Sequence, residues 1–406
     1  MPDADGNALP KRPSAVSITS STSCPTMPNK TADRDPAPSP RRRQHHPPSV
    51  VGAHHGMLEL ASVTIAGYNL EVKDDEGFIG DRASQGAFRD LLDDWRRRCR
   101  ERGEADPFGK LPSRKLSKKR IDKALADSPN VGADLVNGAI EEFAIELTHI
   151  IQRFMRQKSW KGVQRIVVGG GFPESDAGER AILEAAALCH VQELPVQLAR
   201  LRHEVDDGGL IGWVHLAPAH FVEHDDALLA LDIGGTNVRC GVVRFRRDKA
   251  EDLSRADVVW REKWRHADDK PSRAALVERL AQMLEEAIEF AHHKKIKLAP
   301  FVGIACPGLI REDGTIARGA QNLPGDWAAD TFHLPTHLRE RLPLIRHQPT
   351  QVLMHNDAVV QGLSELPFMR DVKRWAVLTI GTGLGNASYV NNRIDREAVR
   401  RIDKRR

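Results

Sequence analysis

A polar turn between two apolar segments is the part of this chain best suited to phosphate chemistry. Residues 229–237 read Leu-Ala-Leu-Asp-Ile-Gly-Gly-Thr-Asn, and an apolar segment at 238–243 follows directly. Adjacent glycines let backbone amides approach a phosphate, because no Cβ is in the way, and Thr and Asn add side-chain donors. Asp232 ends the first segment, where a carboxylate can hold Mg²⁺ directly or through water. The pattern predicts a strand, a phosphate-binding turn and a second strand.

Two further glycine clusters follow apolar segments elsewhere in the chain. Residues 381–386, Gly-Thr-Gly-Leu-Gly-Asn, follow the segment 375–380, and the glycines at 169–171 follow the segment 165–168. The strand-turn-strand pattern at 381–386 excludes a P-loop and a Rossmann fingerprint, since both of those glycine motifs open a helix. Three such turns, each at the end of a predicted strand, indicate one nucleotide held between two lobes.

An Asn-Asp pair, Asn356 and Asp357, lies between an apolar segment at 352–354 and a segment at 359–366. The first is predicted to be a strand and the second a helix, so the pair lies at a strand-to-helix junction. A carboxylate there can cap the helix, or it can accept the proton of an attacking hydroxyl. The position between two phosphate turns favours the second interpretation.

Five motifs between residues 227 and 392 resemble, in order, those of the ROK (repressor, open reading frame, kinase) family and the bacterial glucokinases. They are Asp-Ile-Gly-Gly-Thr-Asn at 232–237, Cys-Pro-Gly-Leu-Ile at 306–310, Asn-Leu-Pro-Gly-Asp-Trp at 322–327, His-Asn-Asp-Ala at 355–358 and Gly-Thr-Gly-Leu-Gly at 381–385. The resemblance implies the two-lobed α/β fold of the actin-like (ribonuclease-H-like) ATPases. It also implies an ATP-dependent hexose kinase, with glucokinase as the leading expectation.

The same resemblance implies roles for individual residues. Phosphoryl transfer from ATP needs positioning, charge neutralisation and a carboxylate that accepts the proton of the acceptor hydroxyl. Asp357 is the expected base, Asn356 and Asn322 are expected to bind sugar hydroxyls, and Asp232 is expected to serve Mg²⁺. The residues expected around the phosphates are Gly234, Gly235, Thr236, Asn237, Gly381, Thr382 and Gly383.

The order of the other segments departs from the family. There, the lobe that follows Gly-Thr-Gly ends in an adenosine-contacting Gly-Gly-Gly segment, whereas here only a short tail follows Asn386. A similar series stands in front instead: a helical pattern at 139–156, a strand at 165–168, Gly-Gly-Gly, a helix at 179–189 and Gly-Gly-Leu-Ile-Gly at 208–212. We therefore predict a circularly permuted chain, with Gly170 and Gly171 on the adenosine side. The alternative is a truncated kinase with an unrelated N-terminal domain.

The permutation predicts a specific organisation of the chain. The predicted parts are a disordered leader at 1–56, a larger lobe at 57–224, a smaller lobe at 225–370, a strand hairpin at 371–392 that completes the larger lobe, and a basic tail at 393–406. Residues 386–391 should share a sheet with residues 61–72. The glycines at 169–171 should face those at 381–383 across the nucleotide cleft.

Two features of the family are missing from the sequence. No Gly-Glu-x-Gly-His follows the second phosphate turn, and no Cys-x-Cys-Gly-x-x-Gly-Cys cluster occurs, so structural zinc is not expected. Asp81, before Ala-Ser at 83–84, loosely resembles a sugar-contacting acid of the family. An acid at a helix N-terminus explains it equally well. The identity of the sugar therefore stays open.

Composition sets limits on the class of protein. The 406 residues carry a net charge of +4 with 29% charged residues, which gives no strong field for nucleic acid. Five scattered cysteines indicate reduced thiols in a cytoplasmic protein, and no apolar segment approaches the length of a membrane span. The expected partners are a small-molecule sugar and ATP, and a homodimer is left open. The basic segment 96–120 is predicted to be a solvated linker, with a partner or phosphate surface as the alternative.

Other functions remain as alternatives. Polyphosphate is an alternative donor, although the Gly-Gly-Gly segment favours ATP. A sugar-sensing regulator is a second class, but the sequence shows no N-terminal helix-turn-helix. A binding or scaffold protein without catalysis is a third, against which the intact Asp357 speaks.

Overall fold

The computed structural model describes residues 53–127 and 129–395. Their strands are β1 (Val63–Tyr68), β2 (Lys73–Asp74), β3 (Gly77–Phe78), β4 (Arg165–Gly169), β5 (Gln197–Arg200), β6 (Ala227–Ile233), β7 (Val238–Arg244), β8 (Asp257–Trp264), β9 (Leu298–Cys306), β10 (Leu309–Ile310), β11 (Ile316–Arg318), β12 (Leu344–Ile345), β13 (Gln348–Pro349), β14 (Gln351–Asn356), β15 (Arg374–Ile380) and β16 (Leu384–Asn391).

The helices of the same residues connect these strands and cover their sheets. They are α1 (Gln85–Glu101), α2 (Lys118–Ala126), α3 (Val131–Met155), α4 (Asp176–Val191), α5 (Val205–Ile211), α6 (Ala219–His224), α7 (His266–Asp269), α8 (Arg273–His293), α9 (Leu334–Arg341) and α10 (Asp357–Leu363). Short 3₁₀ helices occur at Ile79–Ala83, Ser113–Lys115, Phe172–Glu174, Gly212–His215 and Leu366–Phe368. None of the helices in the described ranges is long and apolar enough to cross a membrane.

Two five-stranded sheets form the centre of the structure. In the sheet ordered β14-β9-β6-β7-β8, all strands come from one continuous part of the chain, and we call it the continuous sheet. The other is ordered β1-β16-β15-β4-β5 and takes strands from both ends of the described chain; we call it the composite sheet. In each sheet two parallel pairings lie on one side of a central strand, and two antiparallel pairings lie on the other.

Alternating apolar residues on the central strands pack on both faces of each sheet. On β4, Ile166 and Val168 face the core formed with α1, α3 and α4, while Val167 faces a core between the sheets. On β6, Leu231 packs with α8 and α9, while Ala230 faces the same central core. Burial on both faces explains why such strands are apolar throughout. The helices α5 and α10 lie in the central core and join the two sheets.

The predicted pairing of the two chain ends is confirmed. Strand β16 pairs antiparallel with β1, with Val63 opposite Asn391 and Tyr68 opposite Ala387. Asn392 N also donates a hydrogen bond to Ser62 O at 2.9 Å. The first and last strands of the described chain are therefore neighbours in one sheet.

The predicted position of the third glycine cluster is wrong in one respect. Strand β4 is the parallel neighbour of β15, with Gly169 opposite Thr379. Adjacent parallel strands end at the same edge of a sheet, so the glycines at 169–171 lie beside those at 381–383. They do not face them across a cleft.

Two other predictions concern the ends of the chain and the basic segment. Residues 1–52 of the predicted leader and 396–406 of the tail lie outside the described residues. Residues 53–56 are described, and Gly56 N donates to Met354 O at 3.0 Å. The basic segment 96–120 is wrongly predicted as a solvated linker. It contains the end of α1 and the start of α2, and Arg96 is only 2% exposed.

Candidate active site

A cleft of about 1490 Å³ opens where the two sheets present the ends of their central strands. Every residue that the sequence assigned to a site lines it. They are Asp81, Gly170, Gly171, Asp232, Gly234, Gly235, Thr236, Asn237, Asn322, Asn356, Asp357, Gly381, Thr382 and Gly383. The structure therefore brings together residues from three separate parts of the chain.

The two predicted phosphate turns meet in this cleft. In the first, Gly234 N donates to Asn237 O at 2.9 Å, and in the second, Gly381 N donates to Gly383 O at 3.0 Å. The hydroxyls of Thr236 and Thr382 are hydrogen-bonded to each other at 2.9 Å. The turns thus form one continuous polar wall, with one turn from each sheet.

Asp232 lies at the end of β6 and is held by an arginine of the next strand. Arg239 Nη1 donates to Asp232 Oδ2 at 3.0 Å, and its Nε donates to Asp206 Oδ1 at 2.5 Å. Burial raises the pKa of Asp232, and the charge of Arg239 opposes that rise. A Cβ at position 209 would lie 2.7 Å from Asp232 Cγ, so a glycine in α5 makes room for the carboxylate.

The sequence left open whether the Asn-Asp pair caps a helix or accepts a proton, and the structure separates the two residues in this respect. Asn356 is the N-cap of α10, where its Oδ1 accepts from Val359 N at 3.2 Å and its Nδ2 donates to Gly308 O at 3.0 Å. Asp357 is the first residue of the helix, and its Oδ1 accepts from Ala358 N at 2.9 Å. Capping of the helix therefore falls to Asn356, which leaves the Asp357 carboxylate at the cleft.

The environment of Asp357 favours proton transfer at neutral pH. Burial raises the pKa of Asp357 to about 7, and the negative charge of Asp232 adds to the rise. A general base works best when its pKa lies near the operating pH. The carboxylate is thus suited to accept a proton from a hydroxyl bound beside it.

The two other expected sugar contacts differ in how firmly they are held. Asn322 is exposed and packs over the first turn, since a Cβ at position 235 would lie 2.9 Å from Asn322 Cβ. Asp81 is also exposed and lies in the 3₁₀ helix Ile79–Ala83. It is the acid in the first turn of this 3₁₀ helix, as the alternative interpretation of the sequence expected, and it precedes Ser84, the N-cap of α1.

The glycines on the expected adenosine side have different surroundings. Gly170 has a φ of +89°, and a Cβ there would lie 2.5 Å from Ile380 O. Packing against β15 therefore already requires glycine at this position. Gly171 has no such contact, and its carbonyl oxygen accepts a hydrogen bond from Lys118 Nζ.

Comparison with known proteins identifies the part of the chain that carries most of this site. Residues 228–397 match the model of the ROK family. We call residues 228–397 the ROK segment because of this match. The ROK segment contains Asp232, Asn322, Asp357 and both phosphate turns, whereas Asp81, Gly170 and Gly171 lie outside it.

Several solved structures each match 42% of the chain. One is a ROK family glucokinase from Streptomyces griseus in complex with glucose and AMPPNP, 23% identical, with a TM-score of 0.32 and coverage of 42% of this chain and 46% of that one. A proposed N-acetylmannosamine kinase from Listeria monocytogenes is 24% identical, with a TM-score of 0.28 and coverage of 42% and 49%. A proposed sugar kinase from Cytophaga hutchinsonii is 21% identical, with a TM-score of 0.29 and the same coverage.

The chain thus spans about half the length of these proteins. No curated protein matches the sequence.

Arg239 is a site residue of the ROK segment that the sequence reasoning missed. Asp232 lies directly opposite Arg239 in the β6–β7 hairpin. The hairpin itself was predicted, so pairing its strands outward from the turn would have placed this arginine next to the carboxylate.

The residues present in the ROK segment fit a magnesium ion held mainly by phosphate. Across residues 53–127 and 129–395, no group of three or more His, Cys, Asp or Glu side chains is arranged to hold a metal. Mg²⁺ usually keeps several waters and binds through one or two carboxylates plus substrate phosphates. Asp232, with one oxygen on Arg239 and the other free of that contact, is a donor of this kind.

Proposed function

We propose that this protein is an ATP-dependent hexose kinase that transfers the γ-phosphoryl group to a primary hydroxyl of a sugar, with glucose as the first candidate. The observation that carries the proposal is Asp357, whose carboxylate has a pKa of about 7 in a cleft lined by two glycine turns. The match of residues 228–397 to the model of the ROK family supports the same interpretation.

In this proposal each part of the cleft has a defined task. Asp357 accepts the proton of the sugar hydroxyl as that oxygen attacks the γ-phosphorus. The backbone amides of the turns at 234–236 and 381–383 bind the phosphates of the donor. Asn322 and the remaining donor hydrogen of Asn356 orient the sugar. A magnesium ion on Asp232 would neutralise phosphate charge.

We also propose that the chain is circularly permuted, as its sheet order supports. In the continuous sheet, the hairpin β6–β7 is followed in sequence by β8, β9 and β14. In the composite sheet, the equivalent hairpin β15–β16 comes last, and the equivalents of the other three strands, β1, β4 and β5, come first. The proposed lobes are then 57–224 with 371–392, and 225–370.

A coupled assay of ADP release across a panel of hexoses tests the activity. We expect turnover with at least one hexose and a loss of about 10²-fold or more in kcat for Asp357→Asn, the usual scale for losing a general base. Parallel reactions with polyphosphate identify the donor. Normal turnover of Asp357→Asn would exclude the proposed base.

The pH dependence of the wild-type enzyme is a second test. Because Asp357 must be ionised to accept a proton, kcat/KM should fall about tenfold per pH unit below a pKa near 7. A flat profile between pH 5 and 8 on a hexose substrate would contradict this role.

Binding measurements separate a kinase from a protein that only senses its ligands. Mg·ATP should raise the melting temperature, since a ligand that binds only the native state stabilises it. If sugar and nucleotide both stabilise the protein but no sugar yields ADP, the protein is a sensor or scaffold.

A further inference from the structure

The connection between α1 and α2 places a group of cations on the cleft wall. Arg114, Lys115 and Lys118 lie on this connection and line the cleft, together with Arg89 of α1. None of them was assigned to the site from the sequence.

A buried arginine holds this connection in place. Arg96 is 2% exposed, and its Nη1 donates to Ser113 Oγ at 2.8 Å, while its Nη2 donates to Gly109 O at 2.9 Å. It also forms an ion pair with Asp106 at 3.0 Å. A buried guanidinium is costly unless its hydrogen bonds are satisfied, so these contacts fix the backbone that precedes Arg114.

Arg89 and Lys118 also hold the connection in place relative to the cleft. Arg89 Nη1 donates to Ser113 O at 2.6 Å and to Leu116 O. Lys118 Nζ donates to Gly171 O, which ties the start of α2 to the expected adenosine side. The backbone that carries Arg114 and Lys115 is therefore held at a defined place beside the cleft.

That place is beside the second phosphate turn. Gln85 N donates to Gly381 O at 2.9 Å, so α1 begins in contact with the turn. The next residue is Gly86, where a Cβ would lie 3.6 Å from Arg114 Nη1. The guanidinium of Arg114 therefore lies beside Gly86, the residue that follows Gln85, and Gln85 contacts Gly381 directly.

The nearby acids do not balance the positive charge. Asp90 is paired with Arg114, and Glu174 lies 3.4 Å from Lys118. The side chain of Lys115 is exposed and has no hydrogen-bond or ion-pair partner among residues 53–127 and 129–395. The side chain of Arg89 contacts only carbonyl oxygens in the same part of the structure. This wall therefore presents an excess of positive charge to the cleft.

We propose that Arg114 and Lys115 bind the phosphate chain of the donor nucleotide. The proposal rests on the proposed kinase function and extends it to residues outside the ROK segment. A sugar is uncharged and gives two cations no counter-charge, whereas a triphosphate does. Guanidinium and ammonium groups bind phosphate oxygens through charge-assisted hydrogen bonds. These two side chains would thus supply phosphate contacts in addition to those of the backbone amides of the two turns.

The test is calorimetric titration of the full chain with ATP and with adenosine. The variant is Arg114→Gln/Lys115→Gln, and Lys110→Gln is the control, since Lys110 lies on the same connection but does not line the cleft. We expect the double variant to weaken ATP binding by about 10- to 100-fold, the scale of one or two hydrogen bonds to charged groups. Adenosine binding should change less than about twofold, because adenosine carries no phosphate.

The single variant Lys115→Gln guards against a structural artefact, since it breaks no side-chain contact within the described residues. It should weaken ATP binding by about fivefold and leave the melting temperature unchanged. If wild type and the double variant bind ATP equally, this inference fails and the kinase proposal stands. Equal weakening of ATP and adenosine would also overturn it. If the wild type binds no nucleotide, both proposals fail.

Discussion

The two sheets have the same arrangement of strands, but they do not carry the same chemistry. The central strand of the continuous sheet ends in Asp-Ile-Gly-Gly-Thr at 232–236, and that of the composite sheet ends in Thr-Ile-Gly-Thr-Gly at 379–383. Asp232 is therefore replaced by Thr379 at the equivalent position. Similarly, the outer parallel strand β14 leads to Asp357 at the start of α10, whereas β5 leads to Val205 at the start of α5.

The difference shows that two copies of the same strand arrangement can have different roles in one cleft. The half with the continuous sheet supplies the two carboxylates to which we give a role in phosphoryl transfer, Asp232 and Asp357. The half with the composite sheet supplies a glycine turn and, through the connection after α1, the cations Arg114 and Lys115. The carboxylates proposed to act on the metal and on the proton thus come from one half, and the cations proposed to bind phosphate come from the other.

The largest difference between the two halves is expected when the polar side chain is substituted at the equivalent positions 232 and 379. Asp232→Asn should lower kcat/KM for Mg·ATP by about 10²- to 10³-fold, because the carboxylate is the proposed contact of the metal. Thr379→Val should change it by less than about fivefold, since Thr379 has no charge to contribute. Steady-state kinetics at varied Mg²⁺ measures both. Similar losses in the two variants would mean that the halves share the chemistry.

A second prediction compares the antiparallel edge strands of the two sheets, β1 in the composite sheet and β8 in the continuous sheet. Val63 on β1 is fully buried, whereas Val259 on β8 is only partly buried. Val63→Ala should lower the free energy of unfolding by about 2 kcal/mol, and Val259→Ala by less than about 1 kcal/mol, because the cost of removing methyl groups grows with their burial. Urea denaturation of the two variants gives both values. A smaller cost at Val63 than at Val259 would show that β1 is dispensable to the composite sheet.

A third prediction concerns how the raised pKa of Asp357 lowers the free energy of unfolding at neutral and alkaline pH. Its folded-state pKa of about 7 lies above the ordinary 3.8, so the folded state binds the extra proton between these values. The contribution of Asp357 to the free energy of unfolding should therefore fall as pH rises from about 4 to 7 and then level off. Asp357→Asn removes this penalty, and it should be more stable than wild type by about 1–2 kcal/mol at pH 8, with little difference at pH 4. Denaturation at several pH values measures the difference; a gain that grows toward acid pH would contradict it.

The smallest effect is expected from reordering the chain. Joining Asp395 to Ala53 through a flexible linker of about ten residues, and opening the chain between His224 and Asp225, would make both sheets continuous in sequence. The free energy of unfolding should change by less than about 1 kcal/mol, because loop closure depends only weakly on length. Kinase activity should be retained. Failure of this variant to fold, with wild type folding normally, would argue against the proposed permutation.

Local motifs were the part of the structure that the sequence predicted well. The hairpin at 227–244 and the strand-to-helix junction at Asn356 depend on neighbouring residues alone. Apolar alternation, adjacent glycines and a capping side chain act over a few residues, so they can be recognised without the fold. The missing strand partner of β16 was also found, because it followed from the family order.

The charged connection after α1 is a part of the structure that the sequence did not predict. Its arginines and lysines are typical of a solvated linker, yet Arg96 is buried by contacts with Asp106, Ser113 and Gly109 that form only when this connection folds back on α1. Composition records how many charges a segment has, but it does not record which of them the fold turns inward.

The sequence by itself therefore determined the turns, the strands that carry them and the residue types at the cleft. The tertiary structure decided how those residues act. Asp357 has its raised pKa because packing buries it and brings Asp232 near, although the two are far apart in the chain. The third glycine cluster lies beside the second turn because β4 pairs with β15. Burial, electrostatic coupling and strand pairing are long-range interactions, and they exist only after distant segments have packed together.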